Sequence, residues 1–203
     1  MVFTEHQMLL FFLILVRMTS MVLSAPVFSS RGIPRMIKIG LSGLISLLLF
    51  PIVNSYDPQF AMNHLTVILL VFGEIFTGVM IGFSMRLLFA GVELAGEYIG
   101  VDMGFALAQV YDPNFNQQLS VIARLKNILA ILIFLIIDGH HFLIEAVAYS
   151  YKVLPIGSWK LSSMAIDKFI QMSAQIFVIG IKIGAPALVA LFLTSVAMGI
   201  IAR

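Results

Sequence analysis

GVELAGEYIGVDMGFALAQVYDPNFNQQ, the stretch from Gly91 to Gln118, decides the class of fold because it carries acidic residues in a strongly apolar chain. Glu93, Glu97 and Asp102 fall within about three helical turns of one another. A carboxylate that faces lipid acyl chains is costly, so this stretch should be surrounded by protein or water. The pattern therefore indicates a pore, a gate or a tight subunit interface.

The composition of the whole chain predicts an all-α integral membrane protein. Of the 203 residues, 61% are hydrophobic and 11% are charged, whereas about a quarter of the residues in a soluble domain are charged. The net charge of +2 and the absence of cysteine argue against a nucleic-acid partner and exclude disulfides. Since the sequence also lacks hydrolase and phosphate-loop motifs, it predicts neither an enzyme nor a cofactor.

Six apolar segments can be drawn, and most of them contain charged residues. Because such segments are poorly suited to face lipid one by one, we expect them to pack against other helices of this chain or of partner chains. The connections are predicted at residues 29–34, 51–58, 111–116 and 154–157, where proline, glycine or asparagine occurs. The segments are Met8–Phe28, Ile37–Val53, Leu65–Ala90, Gly91–Tyr111, Leu125–Tyr149 and Ile166–Ala202.

Glu93 and Glu97 are four residues apart and therefore share one helix face. They could form a proton-titrating or substrate-contacting face, or donors from partner chains and water could satisfy them, and we favour the second interpretation. Asp102 lies about 140° around the helix from Glu97, so the three carboxylates do not form one site.

Three other intramembrane charges suggest ion pairs. Arg17 could bind an anion, but pairing with carboxylates or helix-end carbonyls in an assembly is the favoured interpretation. Glu74 and Lys182 are a hypothetical buried pair, because a buried charge usually finds a partner of opposite sign.

The pair His140-His141, which follows Asp138 and Gly139, is not predicted to bind metal. Adjacent residues of a helix point about 100° apart, and we find no further ligand at a spacing typical of a zinc site. An interruption of the helix at a wetted turn is the expected structure.

Several short motifs, taken in order along the chain, resemble the FliR family of the flagellar export gate, whose injectisome counterpart is SctT. The predicted structural motif consists of Pro26, Phe28, Arg31, Pro34, Lys38, Gly139 and His140. The full set of similar stretches is Arg17, 25–34, 38–41, Glu74, Gly78, 81–82, 95–97, 102–104, 111–113, 138–141, 154–157, 185–186 and 198–203.

The resemblance implies a non-enzymatic subunit that assembles with FliP, FliQ and FlhB in the bacterial inner membrane, in contact with lipid. Unfolded flagellar proteins would pass through this gate, driven largely by the proton motive force. It also implies one all-helical membrane domain over residues 1–203, packed as helical hairpins in a coiled assembly, with a FliP-like part over roughly residues 1–120 and the start of a FliQ-like part over 121–203. Since the family usually continues with further apolar segments, a C-terminal part is expected to be missing here.

The family resemblance also implies a plug in the closed channel, at Gly104 to about Asn116. Phe105, Leu107 and Val110 would project into the pore. The candidate plug residues are Gly104, Phe105, Ala106, Leu107, Ala108, Gln109, Val110, Tyr111, Asp112 and Pro113. The candidate buried charges and subunit contacts are Arg17, Glu74, Glu93, Glu97, Asp102 and Lys182.

The sequence leaves two alternatives to a flagellar gate subunit. An injectisome subunit of the SctT type would share the same architecture. A proton-coupled small-molecule transporter would use the intramembrane carboxylates, but such transporters often contain paired repeats, and no clear repeat is found in this sequence.

Overall fold

The computed structural model describes residues 4–29, 34–56, 64–104, 121–157 and 163–202, and all regular structure in these ranges is helical. This confirms the all-α prediction. The helices are Glu5–Ser24 (α1), Pro26–Ser29 (α2), Arg35–Asn54 (α3), His64–Asp102 (α4), Val121–Ile136 (α5), Gly139–Val153 (α6) and Ser163–Ile201 (α7).

Four helices in the described ranges are long and apolar enough to cross a membrane, and the chain is therefore an integral membrane protein. A fifth crossing is possible if the shorter helices α5 and α6 together make one broken span. The four candidates are Glu5–Ser24, Arg35–Asn54, His64–Asp102 and Ile170–Ile201.

Helix α4 joins the third and fourth predicted segments, so the predicted division at Gly91 is wrong. Glycine costs a helix interior about 1 kcal/mol relative to alanine, but at Gly91 the absence of a side chain permits close packing. A Cβ atom there would lie 2.7 Å from Cγ2 of Ile179. Tertiary packing therefore overrides the weak local preference.

The predicted loop at residues 51–58 is wrong at its start, because α3 continues through Pro51 to Asn54. Pro51 has no N–H to donate to the preceding turn, but its carbonyl accepts the N–H of Ser55 at 3.2 Å and the helix continues to Asn54. The predicted ending at residues 154–157 is confirmed, since α6 ends at Val153 and Gly157 has a φ of 87°.

The predicted interruption near the histidine pair is confirmed. Helix α5 ends at Ile136 and α6 begins at Gly139. Between them Asp138 adopts the left-handed conformation, with a φ of 56°, which aspartate tolerates better than most residues.

The chain divides into two compact units, of which the first comprises Met1–Arg86 and Asp138–Ala165. Its core forms where α1 packs on α3. Thr4 and Gln7 close the start of α1 with a reciprocal capping box, which satisfies two otherwise unpaired backbone N–H groups. The fully buried side chains on α1 include Leu10, Leu13, Ile14, Met18 and Met21.

The second unit comprises Leu87–Ile137 and Ile166–Arg203. The rings of Phe89 and Phe134 meet edge to face at 5.8 Å, and the alanines Ala95 and Ala123 are completely buried. The division predicted near residue 120 concerned likeness to partner subunits and stays a prediction.

Candidate functional site

A row of small residues brings α1 and α4 into close contact in the first unit. A Cβ atom added at Gly78 would overlap both the hydroxyl of Ser20 and the backbone carbonyl of Arg17. One turn later, a Cβ atom at Gly82 would overlap the Ser24 hydroxyl and lie 2.7 Å from the Met21 carbonyl oxygen. Small residues four apart permit such close approach of membrane helices, and this contact places α1 directly against α4.

The hydroxyl groups of the two serines in this contact donate their hydrogen bonds within α1 and not to α4. The Ser20 hydroxyl donates to the Arg17 carbonyl at 2.9 Å, and the Ser24 hydroxyl donates to the Ser20 carbonyl at 2.8 Å. Because both hydroxyl groups donate within α1, the face that α1 presents to α4 behaves as a nearly apolar surface made of small residues.

Glu74 lies on the same face of α4 as the glycines, one turn before Gly78, and binds Arg17 of α1. The guanidinium donates two parallel hydrogen bonds to the carboxylate. One runs from Nε to Oε2, and the other runs from Nη2 to Oε1 at 2.9 Å. Arg17 and Glu74 are only 1% and 3% exposed. Bidentate geometry of this kind gives strong, directional pairing.

Helix α6 supplies the remaining contacts of the Arg17 guanidinium. Nη1 donates to the Ser150 hydroxyl at 2.9 Å, and Nη2 donates to the Leu154 carbonyl at 3.2 Å. The guanidinium carbon lies 3.9 Å from the centre of the buried Tyr151 ring, a distance at which the ring attracts the cation. We call Arg17, Glu74, Ser150, Tyr151 and Leu154 the arginine cluster.

The arginine cluster links α1, α4 and α6 through Arg17. The positive charge of Arg17 is neutralised by Glu74 of the same chain. Two ions taken out of water are stable only if they pair well and their other hydrogen-bonding groups are satisfied. Here Arg17 uses its donors on one carboxylate, one hydroxyl and one carbonyl. The chemistry is therefore suited to fixing helix positions, and it leaves Arg17 poorly available to a free anion.

The predicted pair between Glu74 and Lys182 is wrong, because Glu74 binds Arg17 while Lys182 is exposed. Arg17 does have the kind of partners that were favoured, a carboxylate and a helix-end carbonyl. However, they come from the same chain and need no second subunit. Lys182 as a subunit contact stays a prediction.

The carboxylates of the opening stretch occupy the C-terminal half of α4. Glu93 and Glu97 are half-buried, whereas Asp102 is exposed and ends the helix. Their helix is held within the second unit by a further close contact, since a Cβ atom at Gly96 would overlap the backbone of Ala123 in α5. Their role as contacts to other subunits stays a prediction.

We expect Gly96→Ala to lower the free energy of unfolding by about 1–3 kcal/mol, because the new methyl group must displace the Ala123 backbone. Gly199→Ala is the matched control, as a Cβ atom there meets nothing within 4 Å. The control should be neutral or raise stability by up to about 1 kcal/mol through helix propensity. Unfolding in detergent micelles measures both, and equal stabilities would contradict the close contact.

Only the first of the plug candidates lies in the described ranges. Gly104 has a φ of 82°, a left-handed conformation that suits glycine at the end of α4. The other plug candidates, residues 105–113, lie outside the described residues, as does Arg31 of the structural motif. Of the remaining motif residues, Pro34 precedes α3, Lys38 and Gly139 are buried, and Pro26, Phe28 and His140 are half-buried.

The prediction that the two adjacent histidines point away from each other is wrong. Their ring centroids lie 4.2 Å apart, and Nδ1 of His141 lies 3.5 Å from Oδ1 of Asp138. Ligand atoms of Asp138, His140 and His141 all lie within 4.8 Å of one another. Ligand atoms of these three residues therefore lie close together at the interrupted start of α6.

These features define a polytopic helical membrane protein whose helices are fixed by small-residue contacts and a buried arginine–glutamate pair. Residues 8–203 match the family described as bacterial export proteins, family 1. The flagellar biosynthetic protein FliR of Pectobacterium carotovorum subsp. carotovorum is 37% identical over 194 residues, which cover 95% of this chain and 73% of that protein. The chain belongs to the FliR family of bacterial export proteins.

More distant relatives match over the same extent. The flagellar biosynthetic protein FliR of Escherichia coli K12 is 33% identical, with 96% of this chain and 74% of that protein covered. The protein of the same description from Bacillus subtilis 168 is 27% identical, with 95% and 75% covered. The similarity therefore includes both units of the fold.

Proposed function

We propose that this protein is a non-enzymatic structural subunit of the flagellar protein-export gate in the bacterial inner membrane. It would assemble with FliP, FliQ and FlhB subunits and help to form the channel through which unfolded flagellar proteins leave the cell. Membership of the FliR family supports this role. The structural observation that carries the proposal is the exposure of α7.

Helix α7 is largely exposed among the residues that the structure describes. In the most apolar stretch of Ile170–Ile201, only 11% of the residues are buried, and large side chains such as Phe192, Met198 and Ile201 are at least 60% exposed. An exposed apolar surface of this size must meet lipid or protein. Partner helices of the gate would cover it, at least in part.

The lengths of α4 and α7 favour protein partners over lipid alone. Each helix has 39 residues, whereas about 20 residues are enough to cross a bilayer. The hydrocarbon core of a bilayer is only about 30 Å thick. A considerable part of each apolar helix would therefore lie outside the lipid tails, where neighbouring subunits could enclose it.

Loss of this protein should abolish secretion of flagellar subunits, and this experiment tests the proposed function. A strain that lacks the gene should contain those subunits in the cytoplasm but release none into the medium, and expression of the intact chain should restore release. A strain that still secretes flagellar proteins normally would contradict the proposal.

We further propose that residues 104–116 act as the plug of the closed channel. The family resemblance supports this assignment, and the left-handed glycine that ends α4 is suited to turn the chain away from the helix axis. The half-buried Glu93 and Glu97 would then belong to the helix that supports the plug.

Replacing residues 104–110 by a flexible glycine–serine stretch of equal length should leave assembly intact but allow small ions to leak. The reason is that glycine and serine cannot form an apolar seal. Membrane conductance of assembled gates in planar bilayers measures the effect, with gates that contain the unaltered chain as the control. Assembled gates with unchanged conductance would show that these residues do not close the channel.

A further inference from the structure

We propose that Asp138, His140 and His141 form a binding site for one divalent transition-metal ion such as Zn²⁺. The three residues offer two imidazole nitrogens and one carboxylate oxygen within 4.8 Å of one another. Imidazole is suited to zinc, copper and nickel, and a carboxylate adds the negative charge that favours a cation. Water would complete the coordination sphere.

The distance between two of the three ligand atoms already fits a bound zinc ion. With zinc–nitrogen and zinc–oxygen bonds of about 2.0–2.2 Å, two ligands of a tetrahedral ion lie about 3.3–3.5 Å apart. Nδ1 of His141 and Oδ1 of Asp138 are separated by 3.5 Å. Both side chains are about 70% exposed, so they can adjust their positions at little cost.

His140 would complete the site, because one of its ring nitrogens lies within 4.8 Å of ligand atoms of Asp138 and His141. The ring lies 4.2 Å from that of His141, and its Nδ1 atom is buried without a hydrogen-bond partner among the described residues. A buried nitrogen that lacks a partner is unfavourable. Rotation toward a bound ion would therefore break no hydrogen bond of Nδ1 and would bring that atom out of its unsatisfied position.

The backbone explains why three residues so close in sequence can converge. Asp138 precedes α6 in a left-handed conformation, its side chain makes no capping hydrogen bond, and its carbonyl accepts the His141 N–H at 2.9 Å. The carboxylate is thus free to turn toward the imidazoles. Its charge also offsets the positive end of the helix dipole, which by itself would disfavour a cation.

A metal ion at this site would fix the first turn of α6. That helix presents Ser150 and Tyr151 to the guanidinium of Arg17. Binding should therefore stabilise the first unit in addition to occupying a surface position, since any ligand that binds only the folded state raises its stability.

The test is a titration of the intact protein, purified in detergent through a tag without histidine, with Co²⁺ as a spectroscopic substitute for Zn²⁺. We expect one saturable site per chain, visible through the d–d absorption of cobalt and reversed by added Zn²⁺. Because the sequence has no cysteine, thiolate bands cannot obscure the signal. Metal should also raise the thermal unfolding temperature.

His141→Ala is expected to weaken binding at least tenfold, because even loss of a residue that only supports a metal ligand typically costs 10–100-fold. Asp138→Asn removes the charge from the same edge, should have a similar effect, and provides a second test if the first variant does not fold. His64→Ala, at another exposed histidine, is the matched control and should bind normally. Absence of saturable binding below about 1 mM, or equal binding by wild type and His141→Ala, would overturn the proposal.

Discussion

Glu74→Ala is expected to lower the free energy of unfolding by about 3–5 kcal/mol, because it leaves the buried Arg17 without its counter-charge. Such a loss is a large fraction of the 5–15 kcal/mol that stabilises a typical protein. We therefore expect little assembled protein in the membrane and little secretion. Reversible unfolding in mixed detergent micelles measures stability, and the amount of chain recovered from membranes measures the consequence.

Two variants distinguish the loss of this pair from the loss of any glutamate. Glu145→Ala, at an exposed position of α6, should change stability by no more than about 0.5 kcal/mol. The double variant Arg17→Met with Glu74→Leu should regain most of the lost stability, because apolar residues of similar volume can replace a buried ion pair. Equal stabilities of Glu74→Ala and Glu145→Ala would contradict the arginine cluster.

Gly78→Val is the second change with a large expected effect. Its Cβ atom would overlap the backbone carbonyl of Arg17, which cannot move unless α1 and α4 separate. We expect a loss of about 3 kcal/mol or more, at the upper end of the range for overpacked interiors, because separation also pulls Arg17 away from Glu74. Unfolding in detergent and recovery from membranes again provide the measurement.

Gly40→Val is the control for this substitution, since a Cβ atom at Gly40 meets nothing within 4 Å. Valine is a better helix former than glycine, so the control should be neutral or slightly stabilising. If Gly78→Val were as stable as Gly40→Val, the close contact of α1 and α4 would not exist as described.

The fold class could be predicted because the composition alone indicates a membrane protein. A sequence with 61% hydrophobic and 11% charged residues cannot form an ordinary soluble domain, and the ends of its helices carry strong local signals. The pair Asp138-Gly139 before α6 and the stretch Leu154-Pro-Ile-Gly157 after it are examples. The division at Gly91 was wrong because packing against Ile179, which lies far away in sequence, decided the conformation.

The partners of the buried charges were only partly predictable. Arg17 and Glu74 each stood out, but charge alone does not say which helices face each other, and Lys182 was as plausible a partner as Arg17. A usable signal was present in the spacing, because Glu74, Gly78 and Gly82 share one face of α4 and Ser20 and Ser24 share one face of α1. Tyr151 had no comparable signal, since an aromatic residue in an apolar helix is unremarkable.

The convergence of the two histidines and Asp138 also lay beyond sequence reasoning. The expected 100° divergence holds for residues inside a regular helix, whereas these residues stand where a helix begins. A break can be foreseen from Asp138-Gly139, but the directions of the side chains depend on the left-handed backbone that only the structure provides. The plug, by contrast, stays a prediction that rests on family resemblance.

Native mass spectrometry of the complex purified from membranes through a tag on this chain tests the central proposal most directly. We expect one assembly in which this chain is bound to FliP and FliQ subunits, because the exposed surface of α7 and the length of α4 favour protein neighbours. Recovery of this chain alone, as a stable species that transports a small molecule in liposomes, would contradict it.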